Sequence, residues 1–241
     1  MMSMVTTGKC KMDTPLINQM RDLAEYIKNE FDSHFEPYEN EKHIHQFEGW
    51  TDWFWTSEKI RKAHLKIIEP AGDNRKMWLM HMNVFPNPDI DIPIFGLDIV
   101  ATPNKISGCF CDYSPTNDSV AQKDFMNFFK KLTYGLEWKR ARELPPWAKE
   151  IFSEDMIAAG SIREGEEADQ LCVAAKALTD FYTHSLVFRH PLEGLDTTQA
   201  QNKYCVNQKM NKMLHSSILA MGISESDKDD YVDDVLFEEI V

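Results

Sequence analysis

The chain has 241 residues, 43% of them hydrophobic and 27% charged, and carries a formal net charge of −13. That composition is globular, with room for one large domain or two small ones, and it excludes a disordered or collagen-like chain. The acidic balance argues against nucleic acid, and no apolar run reaches the roughly 20 residues of a membrane span, so a cytoplasmic setting without membrane or nucleic-acid partners is expected.

Residues 1–12 are Met-rich and polar and are expected to be disordered, with 13–241 forming a single domain. In "LINQMRDLAEYIKNEF" the residues Ile17, Met20, Leu23, Ile27 and Phe31 recur at helical spacing. From Phe47 to Tyr113 the period changes to two. Strands are predicted near "EGWTDWFWTS", "IRKAHLKII", "KMWLMHMNVF", "IFGLDIVAT" and "ISGCFCDYS". The intervening "EPAGDNR", "PNPDID" and "TPNK" are short, which favours an antiparallel meander over parallel crossovers.

Helical spacing returns in "SVAQKDFMNFFKKLTYGL", and "PPWAKEIFS" starts another helix behind its prolines. "MIAAGSI" reads as one more strand. A long amphipathic helix runs through Ala168, Leu171, Cys172, Ala175, Leu178, Tyr182 and Leu186. Another is expected from about Thr198 to Met221, ended by Gly222, and a short acidic helix closes the chain. Helices on either side of a contiguous antiparallel sheet give the expected fold class, an α/β three-layer α/β/α sandwich.

Charge is unevenly spread. The closing "ESDKDDYVDDVLFEEIV" holds eight acids against one lysine, whereas "FFKKLTYGLEWKRARELPPW" sets Lys130, Lys131, Lys139, Arg140 and Arg142 among aromatics. Such a basic island either steers an acidic partner or forms an ordinary solvated helix face. The five cysteines Cys10, Cys109, Cys111, Cys172 and Cys205 lack CxxC spacing, so reduced thiols are expected rather than disulfides or a zinc site. His43 and His45 in "HIHQ" have no carboxylate or cysteine at useful spacing, and no metal site is expected. The dinucleotide, P-loop, nucleophile-elbow and HExxH motifs are all missing from the chain.

Strand parity singles out one face. In "MWLMHMNVF" the residues Trp78, Met80, Met82 and Val84 make an apolar side, opposite His81 and Asn83. In "IFGLDIV", Asp98 faces away from Phe95, Leu97 and Ile99; in "IRKAHLKII", Lys62, His64 and Lys66 share one side. Ser107 is read onto the face of Cys109 and Cys111. The polar side also carries Met77, Leu79, Phe85, Ile94, Val100 and Cys109, so it reads as half-buried and pocket-like. His81 is either a satisfied core histidine or a functional one. Asp98 is expected to be a buried, unpaired carboxylate, whose pKa burial would raise toward neutrality, as a general acid requires.

The stretches "RKAHLKI", "HMNVFPNPDIDIPIFGLDIVATPNKISG", "DYSPT", "RELPPWAKEIFSE" and "VLFEEIV" together resemble the ferredoxin-dependent bilin reductases, in particular their phycocyanobilin-forming branch. The resemblance runs from about residue 60 to the C-terminus. It implies an α/β/α sandwich binding biliverdin IXα between the sheet and the C-terminal helices. It also implies reduced 2Fe–2S ferredoxin as electron donor, no bound cofactor, a monomer, and bilin radicals protonated by side chains. On that resemblance Asp98 is the proton-donating aspartate and His81 its partner at the pyrrolinone oxygens, and His64 is a second, hydrogen-bonded histidine. Ser107, Arg142 and Lys212 match propionate-contacting positions, Asn83 shares the substrate face, and Lys130, Lys131, Lys139 and Arg140 become a docking patch for acidic ferredoxin.

Two positions depart from the pattern. Lys66 stands where phycocyanobilin-forming members carry a glutamate needed for reduction of the D-ring vinyl group. Asn211 stands where members often carry an A-ring-side aspartate. The product expected is therefore phycoerythrobilin by four-electron reduction, then 15,16-dihydrobiliverdin, then phycocyanobilin. A bilin carrier without turnover is the competing class, and an NAD(P)H-dependent reductase is disfavoured for want of a dinucleotide fingerprint.

Overall fold

The computed structural model describes residues 13–41, 48–70, 77–220 and 222–241; the first twelve residues, Cys10 and the His43–His45 pair lie outside them. Helix α1 (Pro15–His34) starts at a proline, with Thr14 Oγ1 accepting from the Ile17 N–H at 3.4 Å. It buries Ile17, Met20, Leu23, Ile27 and Phe31, the stripe its spacing predicts. Seven strands follow: β1 (Glu36–Tyr38), β2 (Trp50–Thr56), β3 (Ile60–Ile68), β4 (Trp78–Pro86), β5 (Ile94–Thr102), β6 (Lys105–Ser114) and β7 (Ile157–Ala159). They pair antiparallel in simple chain order, as the short loops require.

Helices α2 (Val120–Thr133) and α4 (Glu166–Phe188) join α1 on one face of this sheet. Met80, Met82, Leu97, Ile99 and Trp78 fill that interface together with Leu171, Leu178 and Tyr182. On the other face lie α3 (Pro146–Lys149), α5 (Thr198–Lys209), α6 (Lys212–Ala220), α7 (Lys228–Asp230) and a π-helical turn, Tyr231–Leu236. A second apolar cluster there includes Phe54, Phe85, Ile94, Tyr204, Tyr231 and Phe237. The α/β/α sandwich expected from the element order is the observed architecture.

Four details correct the sequence reading. The helix expected over Thr198–Met221 is interrupted after Lys209, because Asn211 Oδ1 accepts from the Met213 and Leu214 N–H groups at 3.1 and 3.4 Å and so caps a new helix. The acidic closing helix is one α-turn running into a π-turn, whose Val235 and Leu236 carbonyls accept from the buried Lys62 ammonium at 2.9 and 3.2 Å. Strand β1 is absent from the sequence reading; with only three residues it has no periodicity to detect. Finally, Cys109 lies opposite Ile99 on the apolar face, not the polar one. A bulge where Val100 pairs Gly108 but Ala101 pairs Ile106 breaks the parity of β6 and frees Ser107 to face the other way.

Candidate functional site

Register brings the polar residues into rows across the sheet. Asp52 is paired with Lys66, Lys66 with His81, His81 with Asp98, and Asp98 with Phe110, so five neighbouring strands contribute to one line. The next line reads Phe54, His64, Asn83, Gly96, Asp112. Cross-strand neighbours on one face stand about 5 Å apart at Cβ, close enough for side chains to interact directly.

At the centre, His81 Nδ1 lies 2.5 Å from Asp98 Oδ1, and the Asn83 amide donates to His81 Nε2 at 2.9 Å. An imidazole whose Nε2 accepts from that amide has its ring proton on Nδ1, directed at the carboxylate. Asn83 is buried across from Gly96, where a Cβ would stand 3.4 Å from Asn83 Oδ1, an ordinary contact, and 3.3 Å from the Tyr204 hydroxyl, a slightly tight one. Asp98 differs from expectation. Its side chain is 43% exposed and paired with His81, so it is neither buried nor unpartnered; strand β5 delivers it to the floor of a cavity.

That cavity has a volume of about 620 Å³ and lies between the sheet, the α3 segment and α6. Leu79, Val100, Phe110, Trp147, Phe152 and Met213 supply apolar wall, and Ser107, Arg142, Gln208 and Asn211 supply polar groups. The size and mix suit a small organic ligand. Arg142 sits at the sheet edge, its guanidinium donating to the Ser107 carbonyl and standing 5.7 Å from the Phe110 ring centre. Its place there is held by the isolated bridge between Ala141 and Ala159.

Behind His81 the site is closed. His64 is fully buried, stacks on Phe54 at 4.3 Å and donates from Nε2 to Asp52 Oδ1 at 2.6 Å. Burial pushes its pKa down to about 3, so it stays neutral. The Lys66 ammonium stands 3.5 Å from Asp52 Oδ1, with the Trp50 and Tyr231 ring centres at 4.4 and 3.8 Å. Burial lowers its pKa to about 8 despite that carboxylate. Phe237, following the π-turn, packs edge-on to His81 at 6.1 Å. The C-terminal segment is thus the cover over the histidines. Asp112, also fully buried, accepts from Ser114 Oγ and from the Ser153 N–H and hydroxyl, and burial raises its pKa to about 6.

Of the residues singled out from sequence, Asp98, Ser107, Arg142 and Asn211 meet at the cavity. His81 and Asn83 lie one layer below it, and His64 and Lys66 lie beneath the C-terminal cover. Lys212, by contrast, is exposed at the start of α6 and does not line the cavity; its neighbour Met213, itself largely exposed, contributes to the cavity rim. Lys131, Lys139 and Arg140 are exposed, Arg140 donating to Ser161 Oγ at 3.2 Å, while Lys130 is paired with Asp155 at 3.7 Å. Sequence reasoning misses Asp52 and Asp112. Each is a lone acid among aromatics or cysteines, in "WTDWFW" and "CFCDYS", and that same signal picks out Asp98.

An antiparallel sandwich enclosing an apolar cavity, with an imidazole–carboxylate pair at its floor, defines a small-ligand site equipped for proton transfer. The family model of the ferredoxin-dependent bilin reductases matches residues 14–238, and the chain belongs to that family. It is 28% identical over 188 residues to a phycocyanobilin:ferredoxin oxidoreductase of Prochlorococcus marinus, covering 76% of this chain and 72% of that one. The corresponding enzyme of Synechococcus sp. (strain CC9605) is 29% identical over 187 residues, covering 74% and 72%. In fold the chain is similar to tomato phytochromobilin synthase, solved in complex with biliverdin, at a TM-score of 0.73 and 18% identity over 90% of this chain and 82% of that one. A solved protein named PcyX gives a TM-score of 0.62 at 21% identity, covering 92% and 99%. Among the described residues no helix is long and apolar enough to cross a membrane.

Proposed function

We propose that this bilin reductase takes biliverdin IXα into the cavity above Asp98 and reduces it with electrons from reduced 2Fe–2S ferredoxin, most favourably to phycoerythrobilin. The observation carrying the reading is Asp98: a carboxylate bonded to a tautomer-locked histidine and opening into an apolar slot of about 620 Å³. A linear tetrapyrrole needs a long apolar groove, cations or donors for two propionates, and a proton source near its ring nitrogens and oxygens. Arg142 and Ser107 serve one propionate at the sheet edge, and Asn211 lies on the opposite wall.

The reaction adds four electrons and four protons in alternation. Each electron delivered to the bound bilin raises its basicity, and the Asp98–His81 pair, once it has taken up a proton from the solvent side, passes that proton to the radical so formed and is left as carboxylate and imidazole for the next cycle. Protons return to the pair from the solvent side of the cavity, to which Asp98 is open. Addition of two electrons and two protons gives 15,16-dihydrobiliverdin; two more of each at the A-ring give phycoerythrobilin. Lys66 bears on this choice: it places an ammonium, not a carboxylic acid, beside His81, which disfavours protonation of a D-ring vinyl group and hence phycocyanobilin. The exposed cations Lys131, Lys139 and Arg140, with Lys130 beside them, form the docking face for acidic ferredoxin.

Anaerobic turnover of biliverdin with reduced ferredoxin, followed by chromatographic separation of products, tests the reading. Phycoerythrobilin is the expected product. Phycocyanobilin would overturn the role given to Lys66, and tight binding without any reduction would favour a bilin carrier.

A further inference from the structure

We propose a divalent transition-metal site of the zinc class on the face of the molecule remote from the cavity, formed by Glu30, His34 and His184. Glu30 and His34 are one turn apart on α1, and His184 comes from the last turns of α4, which packs alongside it. Their ligand atoms converge: His34 Nε2 is 3.1 Å from Glu30 Oε1, His184 Nε2 is 3.9 Å from the same oxygen, and all three lie within 4.8 Å of one another. Donors bound tetrahedrally to a single zinc ion stand roughly 3.3 Å apart. The two measured pairs bracket that spacing, and His184, whose side chain is 62% exposed, has freedom to close the remainder.

The chemistry of the set agrees with the geometry. Two imidazole nitrogens and one carboxylate oxygen suit zinc and its neighbours in the first transition row and are poor ligands for calcium or magnesium. Three protein ligands at a surface leave a fourth position for water. The carboxylate is oriented independently: Thr183, beside His184 on α4, donates from Oγ1 to Glu30 Oε1 at 2.7 Å, the kind of outer hydrogen bond that aims a metal-binding carboxylate. The two imidazoles meet edge-on with ring centres 5.4 Å apart. Without a metal these contacts amount to one part-buried hydrogen bond between residues a turn apart on α1, with the His184 ring 3.9 Å from the same oxygen. With one, the C-terminal ends of α1 and α4 are joined by coordinate bonds. Sequence spacing could not show this, because about 150 residues separate His34 from His184.

Calorimetric titration of the full chain with Zn²⁺ at about pH 7.5, where ordinary imidazoles are neutral, tests the site without involving bilin or ferredoxin. One equivalent should bind saturably and raise the melting temperature. Co²⁺ bound in its place should show the visible absorption of a four-coordinate ion. His34→Gln with His184→Gln should lose both signals while melting, metal-free, as the parent does. Thr183→Val should bind about tenfold more weakly. His43→Gln with His45→Gln, the other histidine pair in the sequence, should bind as the parent does. Absence of saturable binding in the parent overturns the proposal. So does binding that persists in the His34/His184 variant, or that disappears in the His43/His45 variant.

Discussion

The two faces of the central sheet are buried to similar depth and built to opposite rules. On one, Trp78, Met80, Met82, Leu97 and Ile99 pack against α1 and α4 as part of one apolar core. On the other, Asp52, His64, Lys66, His81, Asn83 and Asp112 are buried nearly as completely, and each needs a hydrogen bond, a counter-charge or a ring to be there. Burying a large apolar side chain contributes about 1.5–3 kcal/mol, whereas the polar rows are stabilising only if their networks are complete. One strand serves both purposes: Leu97 and Asp98 are adjacent, yet one secures the fold and the other faces the ligand cavity.

Adjacent substitutions on β5 therefore separate the two faces most sharply. Asp98→Asn should cut bilin reduction by at least about 10²-fold, the scale of a lost general acid, while biliverdin affinity and melting temperature stay close to the parent's. Leu97→Ala should do the reverse, lowering stability by about 2–5 kcal/mol with turnover per folded molecule little changed. Anaerobic single-turnover spectra and chemical denaturation read the two effects. Full product formation by Asp98→Asn would remove the distinction between the two faces.

The pH dependence of stability comes next in size and belongs to the polar face. His64, held neutral with a pKa of about 3 against an ordinary 6.5, takes up its proton more readily when unfolded. Its neutral burial thus favours the fold above about pH 6.5, and that advantage is lost as pH falls toward 3. Lys66 carries a folded pKa of about 8 against 10.5, so the unfolded chain again binds the extra proton and stability rises between those two values. Asp112 has the opposite slope: its raised pKa of about 6 makes stability fall as pH rises from about 4 to 6. Lys66→Met should flatten the alkaline limb of a stability–pH curve measured by denaturant titration. A limb that survives the substitution would mean Lys66 does not titrate there.

A glutamate at position 66 sharpens the chemical side of the comparison. It would stand across the strand pair from Asp52 at a buried position, and two neighbouring buried carboxylates do not both ionise readily, so one would hold a proton at neutral pH. Lys66→Glu should therefore divert a minor fraction of product toward phycocyanobilin, detectable by chromatography. A product mixture identical to the parent's would show that position 66 does not govern the D-ring.

Sequence made the apolar face more legible than the polar one, for a physical reason. Apolar alternation in β4 and β5 needs only a period of two, and Met80, Met82, Leu97 and Ile99 fall where it places them. Polar residues are legible as exceptions, which is how Asp98 and His81 stand out, but their partners depend on register. Asp52 comes to His64 and Lys66 only through the pairing of β2 with β3. The bulge at Ser107 reverses parity with no local signature, which is why period-two counting misplaces Cys109. Lys212 shows the limit of motif transfer onto a helix: the break at Asn211 resets the helical phase and turns the lysine outward.

The smallest expected effect lies outside both faces, in the basic cluster at the last turn of α2 and the segment that follows it. Exposed charges at the rim of an interface change encounter rate more than affinity, and salt screens them. Lys131→Glu combined with Lys139→Glu should raise the KM for ferredoxin several-fold at low ionic strength, with the difference shrinking toward physiological salt and kcat unaffected. Lys130→Gln should do less, because Lys130 already shares its charge with Asp155 at 3.7 Å. Steady-state kinetics against ferredoxin concentration at two ionic strengths distinguish these outcomes. An unchanged KM in the double variant would assign the cluster to ordinary surface and move ferredoxin docking elsewhere. The role proposed for Asp98 would be untouched by that result, since its geometry is set by the sheet and not by the partner.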